Sequence, residues 1–226
     1  MTSMPTPFRI KQQIDDIALH LVEIGLTDDQ QYCFEKRTGK NCIEVTFPKA
    51  QHVSIALKEM HYAEIYDHLV RERAYNFKML DGAIIQMTYA FDGRTLQKHR
   101  LAFFPSPYLE EFQNNSDIYL EDEIFADITA QNIVPFPVRF DYDSADDAYL
   151  ELEHPKSHLT LGQYVNCRIP VSAPLTPLLF VQFLLRNFYH TAYRKYTDKL
   201  PASNKFFQET IAIVERQVIH IQVPNR

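Results

Sequence analysis

Between residues 8 and 25, FRIKQQIDDIALHLVEIG, apolar side chains recur at Ile10, Ile14, Ile17, Leu21 and Ile24. Spacings of four and three make one stripe along a helix, and Gly25 supplies the stop. Further on the period changes: NCIEVTF and HVSIAL alternate apolar and polar residues on either side of Pro48, as two short strands do. YAEIYDHLVRERA returns to a helical repeat with Ile65 and Leu69 inward. The firmest local signal is the pair AIIQMTYAF and TLQKHRLAFF joined through Asp92-Gly93, since glycine accepts the positive φ of a tight hairpin turn. PSPY ends the second strand, because proline donates nothing to a ladder.

The pattern repeats on a second block. FPVRFDYD predicts a strand with Arg139, Asp141 and Asp143 on one face and Phe140 and Tyr142 on the other. In HPKSHLTLG a strand over 158–161 turns His158 and Thr160 one way and Leu159 and Leu161 the other, and YVNCRIPV follows. LLFVQFLLRNFYHTAYRKYTDKL predicts the longest helix, apolar on nearly all sides at first and basic later. Thr210 is placed to cap a short helix, IAIVERQ, before a last strand, IHIQV. Residues 108–133, with Glu121, Asp122 and Glu123 in a row, suggest one or two short surface helices. The expected fold is α+β: a mostly antiparallel sheet with flanking helices, one long helix in the C-terminal half, and a single domain over 1–226.

Composition adds limits. At 46% apolar and 13% aromatic residues the chain can bury a sizeable core, so disorder is not expected. No apolar run reaches the length of a membrane span and MTSMPTPFRIKQQ lacks a signal-peptide core, which points to no membrane and to a cytoplasmic location. Cys33, Cys42 and Cys167 are an odd, scattered set read as reduced thiols. The net charge of −6 conceals a division: residues 1–153 carry 14 basic and 26 acidic side chains, residues 154–226 carry 9 and 3. Such polarity steers an anionic partner toward the C-terminal third or a basic partner toward the acidic part; it also describes two halves that complement each other within one fold.

Phosphate loops, nucleophile elbows, zinc-protease helices and paired CxxC motifs are missing, so no cofactor is evident and chemistry must come from scattered side chains. The richest concentration is Asp141, Asp143, His154, Lys156, Ser157, His158 and Arg168 at the charge boundary. Carboxylates with histidines can bind a divalent metal, or an acid can orient a histidine as general base. Pro155 disfavours a helical conformation at His154, which removes the helical ligand pair. The competing reading is a structural corner, with imidazoles bonded to backbone and carboxylates solvated. Arg100, in Lys98-His99-Arg100, calls for a carboxylate and serves equally to hold an anion. Arg186, Arg194, Lys195 and Lys199, interleaved with Tyr189, Tyr193 and Tyr196, can grip phosphates and stack bases or cover a core edge. Cys167, beside Arg168, is a nucleophile only if a histidine activates it, and otherwise an inert thiol.

Taken together, YNFKMLDGAIIQMTYAFDG, KHRLAFFPSP, RFDYD and HPKSHLTLGQYVNCRIPVSAPLTP, followed by FVQFLLRNFY, resemble an uncharacterised bacterial family known as a domain of unknown function, over roughly residues 40–222. The resemblance implies a bacterial cytosolic domain, with an association to accessory genes of mobile or defence loci; it assigns no catalytic residues. The layout is also similar to small bacterial toxins in which an aspartate-bearing strand, here Asp141 and Asp143, precedes a histidine cluster, here His154 and His158.

Three functions follow as expectations. The first is phosphodiester processing of a nuclease-like kind, in an effector of a defence or toxin–antitoxin type locus. Here His154 or His158 is acid/base, Asp141 or Asp143 orients or binds metal, and Arg100, Lys156 or Arg168 meets the phosphate. The second is a non-catalytic subunit or neutraliser that docks a protein partner through its acidic 108–153 region. The third is a nucleotide sensor built on the basic helix with Arg194 and Lys195.

Overall fold

The computed structural model describes residues 4–50, 60–108, 136–164, 166–196, 198, 200 and 205–224. HVSIAL, residues 109–135 of the acidic region, and Lys199 lie outside the described residues.

Two helices begin alike. Thr6 and Thr176 act as N-caps, their hydroxyls each accepting a backbone N–H three residues on at 3.4 Å, with Pro7 and Pro177 at the first helical position where no N–H is needed. These helices are α1 (Pro7–Glu23) and α3 (Pro177–Phe188). Between them in the chain come β1 (Thr27–Gln30), β2 (Phe34–Arg37), β3 (Cys42–Thr46), α2 (Tyr62–Glu72), β4 (Phe77–Met79), β5 (Ile84–Asp92), β6 (Thr95–Phe104), β7 (Val138–Asp143), β8 (Ser157–Leu161) and β9 (Ile169–Pro170). A short helix α4 (His190–Tyr196) follows α3.

The nine strands form one sheet in the order β1-β4-β5-β6-β7-β8-β9, antiparallel at every pairing. β5 is long enough to be shared along one edge: β4 pairs with its start at Ile84 and Ile85, and β3 with its end from Tyr89 to Asp92. β2 then adds to the outside of β3. The expected α+β class with a mostly antiparallel sheet is therefore what the chain adopts. The Asp92-Gly93 turn joins β5 to β6 with Gly93 at φ +57°, the left-handed conformation for which glycine was needed. The strands TDDQ, FEKR and FKM carried no alternation signal, being three or four residues long and formed by pairing rather than by their own pattern.

Alternation along the strands divides the sheet into two faces. Ile85, Met87, Tyr89, Leu101, Phe103, Phe140 and Leu159 point to the face covered by Ile10, Ile14, Ile17 and Leu21 of α1 and by Phe180, Val181, Leu184 and Leu185 of α3. Gln13 accepts the Leu178 N–H at 3.0 Å and ties the two helices together. On the opposite face α2 covers only one end, packing Ile65, Tyr66 and Leu69 on Ile84, Ala102 and Phe104. The rest of that face, along β6, β7 and β8, carries the polar side chains.

Three expectations change in the C-terminal half. The long helix is two helices, of 12 and 7 residues, and the 17-residue α1 is the longest described. Tyr189 breaks it at φ −135°, which takes its buried ring edge-on to Phe103 and lets its hydroxyl donate to Asp81 at 2.9 Å. Thr210 caps no helix: its hydroxyl meets Ser157 at 2.9 Å, and only Glu215–Gln217 is helical, a 3-10 turn in which the Glu215 carboxylate accepts the Ala212 N–H. The last strand shrinks to a single bridge between Ile221 and Val171.

His99 fastens the segment before α3 to the sheet. Its Nε2 accepts the Leu175 N–H at 3.2 Å while Tyr89 donates to the Leu175 carbonyl at 3.1 Å. Burial lowers the imidazole from 6.5 to about 4, outweighing the nearby Asp141 charge. The folded state therefore refuses a proton that the unfolded chain accepts below pH 6.5, and stability falls as pH drops from 6.5 toward 4. Between pH 7 and pH 5 this one group should cost about 2 kcal/mol, seen as a falling urea midpoint. His99→Gln keeps an acceptor for Leu175 and should flatten that part of the profile; an unchanged slope in the variant would remove His99 from the account.

Candidate functional site

The antiparallel register lays the polar side chains out in rows across three strands. Arg100 on β6 stands opposite Asp141 on β7, which stands opposite His158 on β8. Two residues along, Ala102, Arg139 and Thr160 make the next row. On the other side Lys98 stands opposite Asp143. β8 and β9 pair as far as Leu159 with Ile169, and Arg168, the residue before β9, lies near enough to His154 and His158 for its charge to act on both. The structure thus brings Arg100, Asp141, His158, Arg139 and Arg168 to one region of one face.

At its centre Asp141 accepts a hydrogen bond from Arg100 Nε at 3.1 Å, and its other oxygen lies 3.5 Å from Arg139 Nε and 4.0 Å from His158 Nε2. Burial pushes this carboxyl up, but Arg100 and Arg139 outweigh it and hold the group below its ordinary value. Asp141 is therefore ionised and already neutralised.

His158 is anchored by its other nitrogen: a carbonyl only accepts, so the 2.8 Å contact with Pro155 O places the proton on Nδ1. Its side chain is only 6% exposed. The His154 ring lies 5.0 Å from it, tilted by 60°, and is half-buried rather than sealed. Both imidazoles are lowered from the ordinary value, chiefly by burial, although Asp141 opposes the shift at His158; the Arg168 charge lowers them further. At neutral pH both are uncharged, so each retains a basic nitrogen.

Other candidates lie apart. Asp143 is paired with Lys98 at 2.7 Å. Lys156 reaches Asp146 at 2.7 Å and the Ser144 carbonyl, away from the row. Arg194 and Lys195 are exposed on α4, whose Ala192 and Tyr193 pack on the helix-covered face. The basic helix and the histidine row therefore belong to opposite sides of the sheet. Arg139 was not singled out for a ligand-binding role in the sequence, although its period-two relation to Asp141 was the signal that would have found it.

The charge balance of the row is uneven. Arg100 and Arg139 share one carboxylate, and among the described residues no carboxylate lies within 4 Å of Arg168. Among the described residues three guanidiniums thus stand around Asp141 and two neutral imidazoles, with Asp143 nearby already paired to Lys98, an arrangement suited to an anion. Among the described residues no group of three or more His, Cys, Asp or Glu side chains is placed to hold a metal ion. Asp141 itself sits between two cations.

Residues 26–223 match the family model described as "Uncharacterized conserved protein (DUF2290)", and the chain belongs to that family. No curated protein and no solved structure matches it. No helix among the described residues is long and apolar enough to cross a membrane.

Asp141→Asn removes the charge that Arg100 and Arg139 share. Because the Arg100 side chain is 39% exposed, solvent screens part of the loss, and the expected destabilisation is about 1–3 kcal/mol in urea unfolding at neutral pH. A variant as stable as the parent would show that the pairing contributes nothing to the fold.

Proposed function

We propose that this member of the DUF2290 family processes phosphodiesters at the row formed by Arg139, Arg168, His154 and His158. The observation that carries this reading is the excess, among the described residues, of guanidinium over carboxylate around two neutral imidazoles. Arg139 and Arg168 are the groups for the phosphate, since a planar fork of donors matches two phosphate oxygens at once. His154 is the group for proton transfer: it is the less buried imidazole and lies 5.0 Å from His158. His158, held by Pro155, is a positioning residue that fixes the wall against which His154 packs. Asp141 keeps Arg100 and Arg139 in place and, already paired, is not asked to act as base. Such an activity would suit an effector or accessory protein of a defence or toxin–antitoxin type locus.

The purified chain should cleave labelled single-stranded RNA or DNA, assayed in parallel with added Mg2+ or Mn2+ and with chelator. His154→Ala should lower kcat/KM by about 10²–10⁴-fold, the usual worth of a general acid or base, and Arg168→Gln should act mainly on KM. Because burial lowers His154, the acidic limb of the pH profile should fall below the ordinary imidazole value of 6.5. Equal turnover in the parent and His154→Ala would sink the enzymatic reading. Binding of the same strands without any cleavage would instead favour a nucleotide or nucleic-acid sensor.

A further inference from the structure

The sheet carries an edge whose outer backbone is unused. Among the described residues β2 pairs with β3 alone, in the register Phe34 with Thr46, Glu35 with Val45, Lys36 with Glu44 and Arg37 with Ile43. In an antiparallel pair only every second rung exchanges hydrogen bonds, and the residues between turn their N–H and C=O outward. Thr38 continues the ladder by donating its N–H to the Cys42 carbonyl at 3.1 Å, which makes Thr38, Lys36 and Phe34 the bonded rungs. The far side of β3 agrees: Gly93 donates to the Asn41 carbonyl at 2.9 Å, so Ile43 and Val45 bond to β5 and leave Glu44 and Thr46 for β2. The free edge groups therefore belong to Glu35 and Arg37, both exposed.

An edge with unmet backbone groups is a template for a further strand, and charges on it ordinarily deter pairing. Here the charges select a partner. Glu35 and Arg37 lie two residues apart on one face of β2, with opposite signs. A second β2 laid antiparallel about a two-fold axis beside Lys36 sets Glu35 opposite the partner's Arg37 and Arg37 opposite the partner's Glu35, and each of these rungs exchanges both N–H···O bonds. Sliding the partner by two residues, the least shift that keeps outward groups facing each other, sets Glu35 against the partner's Glu35 in one direction and Arg37 against the partner's Arg37 in the other. Charge therefore fixes the register as well as the partner. On the other face Phe34, 40% exposed, comes opposite the partner's Thr38, an aromatic against a β-branched side chain. Lys36 meets the partner's Lys36 on the axis, and each stands directly opposite Glu44 of its own β3, so two carboxylates accompany the two ammoniums.

We propose that two copies of this chain associate through β2, joining their nine-stranded sheets into one across a two-fold axis. The contact is isologous, because the segment FEKR with the threonine that follows is complementary to itself when reversed. It does not depend on the phosphate reading. The strands β3, β5, β6 and β7 separate the joined edge from His158 on β8. A short edge with two charge pairs describes a weak dimer that forms with rising concentration and is loosened by salt.

Sedimentation equilibrium of the intact chain reads the association directly. The mean mass should rise with concentration from 26.5 kDa toward twice that value, and fall again in high salt. Arg37→Glu or Glu35→Arg sets like charges opposite each other on both rungs and should weaken association about tenfold or more, while the double exchange, Glu35→Arg with Arg37→Glu, should restore it. Glu35→Pro removes an outward N–H from each copy and none that β3 uses, so it should abolish the dimer with little change in the melting temperature. In a Cys42→Ser, Cys167→Ser background, Lys36→Cys should give an intermolecular disulfide on mild oxidation, since the two copies of position 36 face each other across the axis. A single 26.5 kDa species at every concentration, with no disulfide from Lys36→Cys, would overturn the proposal. So would a dimer that persists through both the charge reversals and Glu35→Pro, since its interface would lie elsewhere. His154→Ala should leave the mass distribution unchanged, so this proposal and the catalytic one fail separately.

Discussion

Alternation at a period of two along β6, β7 and β8 is the constraint on which both the core and the candidate site depend. Leu101, Phe140 and Leu159 are level across the three strands and meet the helices, while the next positions, Arg100, Asp141 and His158, are level on the other face. A slip of one residue in either pairing would send a guanidinium or a carboxylate under α1 and α3 and an apolar side chain to the opposite face. Register is therefore specified by the cost of burying an unpaired charge, and the site is aligned by the same energy that builds the core.

The polar face is not a solvated surface. Asp141 is 15% exposed at its side chain, Arg139 25% and His158 6%, so these groups are arranged in a region of reduced dielectric where charge–charge terms count for more than in water. Burial acts in opposite senses on the two residue types. It lowers the histidines, which stay neutral, and would raise the aspartate, which two arginines nevertheless keep ionised. Neutral imidazoles beside surplus guanidinium charge follow from that contrast.

The C-terminal half is held to the sheet by polar contacts made by buried aromatic side chains. His99 and Tyr89 grip the backbone at Leu175 from two adjacent strands, and Tyr189 reaches Asp81 beyond the end of α3. Ser172 anchors the tail, its carbonyl accepting the Thr210 N–H and its hydroxyl oxygen accepting the Val223 N–H. Each contact is nonlocal in sequence. Together they explain why the strongest apolar helix of the chain stops at Phe188 rather than running on: the tyrosine that would continue it is satisfied elsewhere.

The elements legible in the sequence are those whose own side chains carry a complete period: the Ile10–Leu21 stripe, the Asp92-Gly93 hairpin, the alternation in VRFDYD and the apolar run of α3. The pairing of Arg100 with a carboxylate was legible too, because a guanidinium beside an apolar strand face demands one. Edge strands such as FEKR were not, since short polar strands draw their stability from a neighbour. Nor was the two-helix break at Tyr189, because helical periodicity contains no information about a distant Asp81. By itself the sequence determined which face of each strand is polar and that Asp141 and His158 could meet, because period two is a local property of the backbone. Only the tertiary structure decided that Arg139 is level with Thr160, that Arg168 acts on both histidines, that Lys156 turns away and that the basic helix lies on the other side. Those facts depend on which strands are neighbours and in what register, and both are set by packing summed over the whole sheet.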